Sequence, residues 1–437
     1  MSEGVVVMIN KSKLCNDILQ KTSLSKEIAE KFAEENNKFI KNLNDKIESV
    51  NEHEAIDIIS FLISVDRYFV LKEQWDSLLY TCLMKIRNGI YNGEFSTISS
   101  FSGVTYINFI IRELSQKIPE LQRFLHTLEL LQNEVLSCYL NLSEESIFYQ
   151  QNGFELIQGM SGALKYYLDS DNDNSNEIID KIILLFVQHL KPKMIMGYPT
   201  PVCHYYPSIY EKKYMTEEAP NGCVNYSVSH GMSGPLTTLS LAYKKSSNPD
   251  GAMKIIDSII DEYMKSYYYV DNIIYWPGRI TFEQYIGKEK CSYGKSRMSW
   301  CYGSIGILNS LYIAAKEKSD KELTEFCVNE LKKIASMDTR DYLLASPIVC
   351  HGLSGATLIF KRMYQETQDK VFYYKMLEIL EKLIHNFIYR EIENINFTEM
   401  NEIKEYDYLE GYTGILQTIY SVITDTVNVN ERRLLIY

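Results

Sequence analysis

The chain has 437 residues, 46% of them apolar and 23% charged, with 45 Lys and Arg against 57 Asp and Glu. A net charge of −12 argues against a nucleic-acid binder, which needs a basic patch to neutralise phosphates. No apolar run approaches the ~20 residues of a membrane-spanning helix, and Glu3 ahead of the short run from Val5 to Ile9 makes a poor signal peptide. The expectation is a cytoplasmic globular protein with ample length for a buried core.

Most segments read as helix. Residues 24–46 and 174–190 carry apolar positions at spacings of three and four. Asn248-Pro249 opens another helix, with proline at the first helical position and Ile255, Ile256, Ile259, Ile260 and Tyr263 on its buried side. The stretch from Tyr267 to Trp276 reads as a hairpin around Asp271-Asn272. Over 320–334, Leu323, Phe326, Cys327, Leu331 and Ile334 form one apolar face, and Ser319 with Glu322 reads as the capping box that starts it. Residues 370–390 have the same helical character. Eight of the ten prolines fall between 192 and 277, and proline is excluded from helix interiors. Residues 195–296 are therefore expected to hold an irregular Pro/Tyr-rich insertion of loops and short strands, interrupted by helices carrying 229–264. Nothing alternates in the doubly wound manner.

A Gly-x-x-Gly signature recurs along the chain: Gly159 to Gly162, Gly231 to Gly234, Gly303 to Gly306, Gly352 to Gly355 and Gly411 to Gly414. Ser100-Phe101-Ser102-Gly103 reads as a degenerate sixth copy. Each precedes an apolar run that looks like a helix start, and the intervals leave room for an outer helix, a loop and an inner helix. One such motif is weak; five or six at helix starts point to a closed ring of helical hairpins spanning 1–437. Open solenoids have more uniform repeats.

Nine cysteines in a chain expected to stay in a reducing compartment argue against a disulfide framework. Two of the cysteines lie on the repeat. Cys301 stands two residues before Gly303, and Cys350-His351 directly precedes Gly352. In a ring whose repeats all start at one end, these residues converge. Two thiolates and an imidazole are zinc ligands, and three protein ligands leave the fourth tetrahedral position open, as in a catalytic zinc site. His230, just before Gly231, falls in the same register and suits proton transfer near neutral pH.

Three motifs in this order, Ser229-His230-Gly231-Met232-Ser233-Gly234-Pro235, Trp300-Cys301-Tyr302-Gly303 and Cys350-His351-Gly352-Leu353-Ser354-Gly355, resemble the lanthipeptide synthetase C family, the lanthionine cyclases. The resemblance runs from about residue 100 to Gly414 and suits the stand-alone cyclases of nisin and subtilin type. It implies an all-α, α/α toroid of six to seven repeats with a small SH2-like α+β insertion. It also implies one Zn²⁺ per chain on Cys301, Cys350 and His351, with addition of precursor-peptide cysteine thiolates to dehydroalanine or dehydrobutyrine as thioether rings. With two thiolates and a neutral imidazole the centre is uncharged, and a bound substrate thiolate makes it anionic and keeps the sulfur nucleophilic.

By resemblance, His230 has an acid/base role, and Arg297 and Tyr302 match active-site positions suited to holding an enolate oxygen or the peptide backbone. Glu155 stands where the family commonly has an aspartate that orients the histidine. The implied partners are a dehydrated, leader-bearing precursor, a dehydratase and an ABC transporter, which would hold the protein peripherally at the inner membrane face. A non-catalytic thiol- or peptide-binding relative is the alternative function. Protein prenyltransferases lack the Trp-Cys-Tyr-Gly motif, and toroidal glycosidases need a carboxylate pair that the repeats do not carry.

Overall fold

The computed structural model describes residues 8–141, 153–170, 174–207, 217–389 and 403–437. Residues 208–216 of the proline-rich zone and residue 390 of the last predicted helix lie outside the described residues. The chain divides into two compact units, Met1–Phe95 with Asp338–Arg432, and Ser96–Met337 with Arg433–Tyr437. No helix among the described residues is long and apolar enough to cross a membrane.

The second unit is built from helical hairpins in chain order. They are α5 (Val104–Lys117) with α6 (Gln122–Asn141), α7 (Met160–Leu168) with α8 (Ser175–His189), α9 (Ser233–Ala242) with α10 (Pro249–Ser266), and α12 (Ser304–Lys318) with α13 (Lys321–Ala335). The first helix of each pair packs on its counterpart in the next, α5 on α7, α7 on α9 and α9 on α12. These inner helices are buried nearly all round; in α12 every residue from Ser304 to Ala315 is buried. Several of their hydroxyl residues bond a carbonyl one turn back, as Thr238 does to Gly234 and Ser310 to Gly306. The outer helix α10 is amphipathic instead, burying Ile255, Ile256, Ile259, Ile260 and Tyr263 as its spacing foretold, and Asn248 caps it ahead of Pro249.

The first unit holds α1 (Lys11–Lys21) with α2 (Lys26–Lys46), α3 (Glu52–Val65) with α4 (Lys72–Tyr91), and α14 (Leu353–Thr367) with α15 (Lys370–Tyr389). Helix α16 (Tyr412–Ile423) lies between α14 and α3, and α15 packs on α2. A buried ion pair, Lys361 to Glu431 at 2.9 Å, fastens the following segment to α14.

All named strands among the described residues fall between Met194 and Thr281, in and just after the proline-rich zone. They form three antiparallel pairs: β1 (Met194–Ile195) with β2 (Tyr198–Pro199), β3 (Cys223–Asn225) with β6 (Arg279–Thr281), and β4 (Tyr268–Val270) with β5 (Ile273–Tyr275). The hairpin around Asp271-Asn272 is confirmed, both residues taking positive φ (51° and 64°) as a two-residue type I′ turn requires. A short helix, α11 (Phe282–Tyr285), follows β6. Pro235 and Pro249 lie in the first turns of α9 and α10, where a proline's missing N–H has no partner to lose.

Two local expectations change. Ser319 does not cap α13. It closes α12 in the left-handed conformation (φ 59°), and Asp320 caps α13 by accepting from Leu323 N at 3.0 Å. One residue cannot end one helix and begin the next when a better cap stands beside it. The degenerate repeat is also shifted: Gly103 is the N-cap of α5, so it takes the place of the first glycine of the motif, as Gly159, Gly303, Gly352 and Gly411 do.

The glycines are needed because each loop folds back onto its own helix start. A Cβ on Gly306 would lie 2.1 Å from the Trp300 carbonyl oxygen and 2.9 Å from Val228 Cγ2. Gly306→Ala is expected to cost about 1–3 kcal/mol or more, since backbone cannot yield as a side-chain tip can. Gly294→Ala meets nothing within 4 Å and should leave stability unchanged. Urea unfolding of both variants checks this, and equal midpoints would sink the argument.

The segment Arg433–Tyr437 threads into the second unit. Trp300 Nε1 donates to Leu434 O at 3.0 Å and Asn309 Nδ2 to Leu435 O at 3.1 Å. Arg433 donates to Ser100 O at 2.9 Å, its guanidinium 4.1 and 3.8 Å from the ring centroids of Phe101 and Tyr106. This contact holds Trp300, the residue before Cys301, from behind.

Candidate active site

The loops that precede the inner helices of the second unit lie side by side. Ser100 N and Ser99 Oγ donate to Ile157 O, and Val228 N donates to Cys301 O at 2.8 Å. A Cβ on Gly234 would be 3.2 Å from Leu156 N and Ser161 Oγ. Residues far apart in sequence are thus gathered at one end of this unit: Glu155 before α7, His230 before α9, Cys301 and Tyr302 before α12.

Glu155 is fully buried, and its Oε2 lies 2.8 Å from His230 Nδ1. The carboxylate is itself fixed by two backbone donors, Ile157 N on Oε2 at 3.0 Å and Gln158 N on Oε1. A buried acceptor against Nδ1 favours the proton on that nitrogen and sets the ring plane. The His230 side chain is 39% exposed, so the ring is anchored on one edge and open on the other. Its backbone N–H is held by Ser227 Oγ at 3.0 Å.

Tyr302 is the second anchored group. Asn225 Nδ2 donates to its phenol oxygen at 2.8 Å. Burial pushes the phenol up, while hydrogen bonds from Asn225 and Ser227 pull it back. Asn225 also accepts from Ser227 N at 2.9 Å, so one asparagine at the end of β3 orders both the tyrosine and the turn that carries His230. Neither Asn225 nor Ser227 stood out in the sequence. The only signal was their short distance ahead of His230.

Cys301 is 5% exposed, with Ser299 Oγ 3.7 Å from its sulfur. Arg297 stands on the same loop, four residues before Cys301. Its side chain is exposed, and what it gives the loop is its backbone carbonyl, which a Cβ on Gly303 would meet at 2.5 Å. In the first unit, Cys350 and His351 are half-buried on the turn before α14, and the N–H groups of Val349 and Cys350 both donate to Leu409 O. That turn is built like the Cys301 turn, with Gly352 as the N-cap of the helix that follows.

No disulfide joins any of the nine cysteines. Burial pushes the Cys82 thiol up to about 12, and those of Cys203 and Cys327 higher still, which marks them as inert core residues. His204 is buried, bonds Asn221 O through Nε2 at 2.9 Å, and is held below the usual histidine range by burial.

With the helices, the insertion and these anchored side chains in view, comparison with known proteins places the chain. It matches the lanthionine synthetase C-like protein family over residues 55–433 and belongs to that family. It is 28% identical over 222 residues to the nisin biosynthesis protein NisC of Lactococcus lactis subsp. lactis, a match that takes in 48% of this chain. In that match the chain spans about half the length of the curated relative, 50%. The structure is similar to that of nisin cyclase with a TM-score of 0.76, at 18% identity, covering 91% of this chain and 96% of the other. The chain thus has the fold of that protein, a helical toroid, in agreement with the ring of hairpins read from the repeats.

Proposed function

We propose that this protein is a zinc-dependent lanthionine cyclase, closing thioether rings in a dehydrated, leader-bearing precursor peptide. The observation that carries the reading is the anchored His230–Glu155 pair at 2.8 Å, in register with the Trp-Cys-Tyr-Gly turn of a family member. Cys301, Cys350 and His351 would hold the metal. Their donor chemistry fits, two sulfurs and an imidazole being a zinc set. A zinc with one position open supplies the acidity by which a substrate thiol loses its proton near neutral pH.

The chain's own residues then have distinct tasks. Glu155 accepts a hydrogen bond from the Nδ1–H of His230 and leaves Nε2 toward the substrate, where it takes up the proton released by the substrate thiol and delivers it to the α-carbon of the former dehydro-residue. Asn225 Nδ2 donates to the Tyr302 oxygen, which leaves the phenol O–H to donate to the carbonyl that gains charge. A dehydratase and an ABC transporter are the partners this reading implies, with the protein in the cytoplasm. The strand-bearing zone within 195–296 is the matching SH2-like insertion.

The test is incubation of the purified chain with a dehydrated precursor carrying cysteines, followed by thiol alkylation and mass spectrometry, because ring closure leaves the mass unchanged. Loss of alkylatable thiols beyond the protein-free control supports the reading. Equal thiol counts with and without the protein would reject it.

A further inference from the structure

The strand pair β3–β6 brings a charged residue to the site that no motif announces. Its register sets Asn225 directly opposite Arg279, and directly opposed residues of an antiparallel pair project to the same face. Asn225 uses that face to reach the Tyr302 hydroxyl. Arg279 therefore projects toward the same tyrosine. The next residue agrees: a Cβ on Gly278 would lie 3.5 Å from Tyr302 Cδ1, and Gly278 O accepts from Tyr226 N at 3.0 Å, which fixes the strand against the ring. Arg279 is half-buried, a setting in which its charge is screened less than at the surface, whereas Arg297 is exposed.

We propose that Arg279, carried by the strand insertion, is a substrate-binding residue that joins Tyr302 in holding the carbonyl oxygen of the dehydro-residue under attack. This rests on the cyclase reading. In the step it serves, the substrate S–H bond and the alkene π bond break while S–C and C–H bonds form. The π pair moves onto the α-carbon and its carbonyl oxygen as an enolate until a proton returns to carbon. Nothing is oxidised or reduced. Charge appears on that oxygen only during reaction, so a guanidinium there acts on kcat more than on KM.

The experiment compares Arg279→Gln, Arg279→Lys and, as a surface control, Arg340→Gln with the parent protein, measuring kcat and KM for ring closure, zinc content and melting temperature. Arg279→Gln is expected to lower kcat about 10²-fold with KM and zinc content near the parent values. Arg279→Lys should regain part of the loss, since it returns the charge without the planar fork. Arg340→Gln should stay within about threefold, since Arg340 is a highly exposed arginine outside the site and a surface charge is well screened. Parent kcat in Arg279→Gln, or a loss confined to KM, zinc content or melting temperature, overturns the proposal while leaving the cyclase reading intact. A parent protein that closes no ring overturns both.

Discussion

Cys301→Ala and Cys350→Ala are each expected to bring bound zinc from about one per chain to none and to abolish ring closure. Three protein ligands are the fewest that keep a catalytic zinc while leaving a position open, so losing one leaves two donors and no held metal. Three core cysteines cannot take over. Cys82, Cys203 and Cys327 are buried with thiols raised far above neutral pH, and a protonated thiol does not bind zinc. Cys327→Ala is the matched control, a buried cysteine on the apolar face of α13 that should keep zinc and activity. Metal analysis after dialysis and alkylation counting on the same samples give the answer, with melting temperature showing that the variants are folded. Full ring closure by a zinc-free chain would sink the metal assignment. Dialysis of the parent protein against a strong chelator should reproduce the loss without any substitution, and added zinc should reverse it.

Much of this arrangement was legible in the sequence because it is locally encoded. The glycine pairs mark helix starts since the turn before each inner helix presses backbone carbonyls against the place a Cβ would occupy, as Trp300 O does at Gly306. Glu155 is found through the family resemblance, by its place four residues ahead of Gly159. What was not legible depends on tertiary placement. Ser319 and Asp320 are both good caps, and only the end of α12 decides between them. The run Leu434-Leu435-Ile436 looks like any apolar stretch until Trp300 and Asn309 bond its carbonyls. Arg297 drew attention by standing next to the Cys301 motif, and the turn leaves its side chain exposed. Arg279 reaches Tyr302 through strand register with Asn225, and pairing between segments that distant leaves no periodic trace.

His230→Asn is expected to lower kcat for ring closure about 10²–10⁴-fold, the usual contribution of a positioned acid or base, while zinc and peptide binding persist. Glu155→Gln should lose activity as well, up to about 10⁴-fold where a neutralised carboxylate lets the imidazole take the wrong tautomer. The loss is expected in kcat because Glu155 is fully buried beneath His230 and acts through the ring. Glu155 also anchors Ile157 N and Gln158 N, so glutamine, with one acceptor in place of two, should cost about 1–3 kcal/mol of stability. Rate and stability must therefore be separated. Glu155→Asp keeps the charge but withdraws it by a methylene, and it should recover a measurable part of kcat that Glu155→Gln does not. A residue that only braced the loop would show the reverse, with both variants melting earlier and turning over normally once folded. The double variant Glu155→Gln/His230→Asn decides the matter. If the carboxylate works through the imidazole, removing it from a chain that already lacks the imidazole changes kcat little, and the two losses fail to add. Fully additive losses would mean that Glu155 and His230 act separately, and the pair would no longer carry the reading built on it.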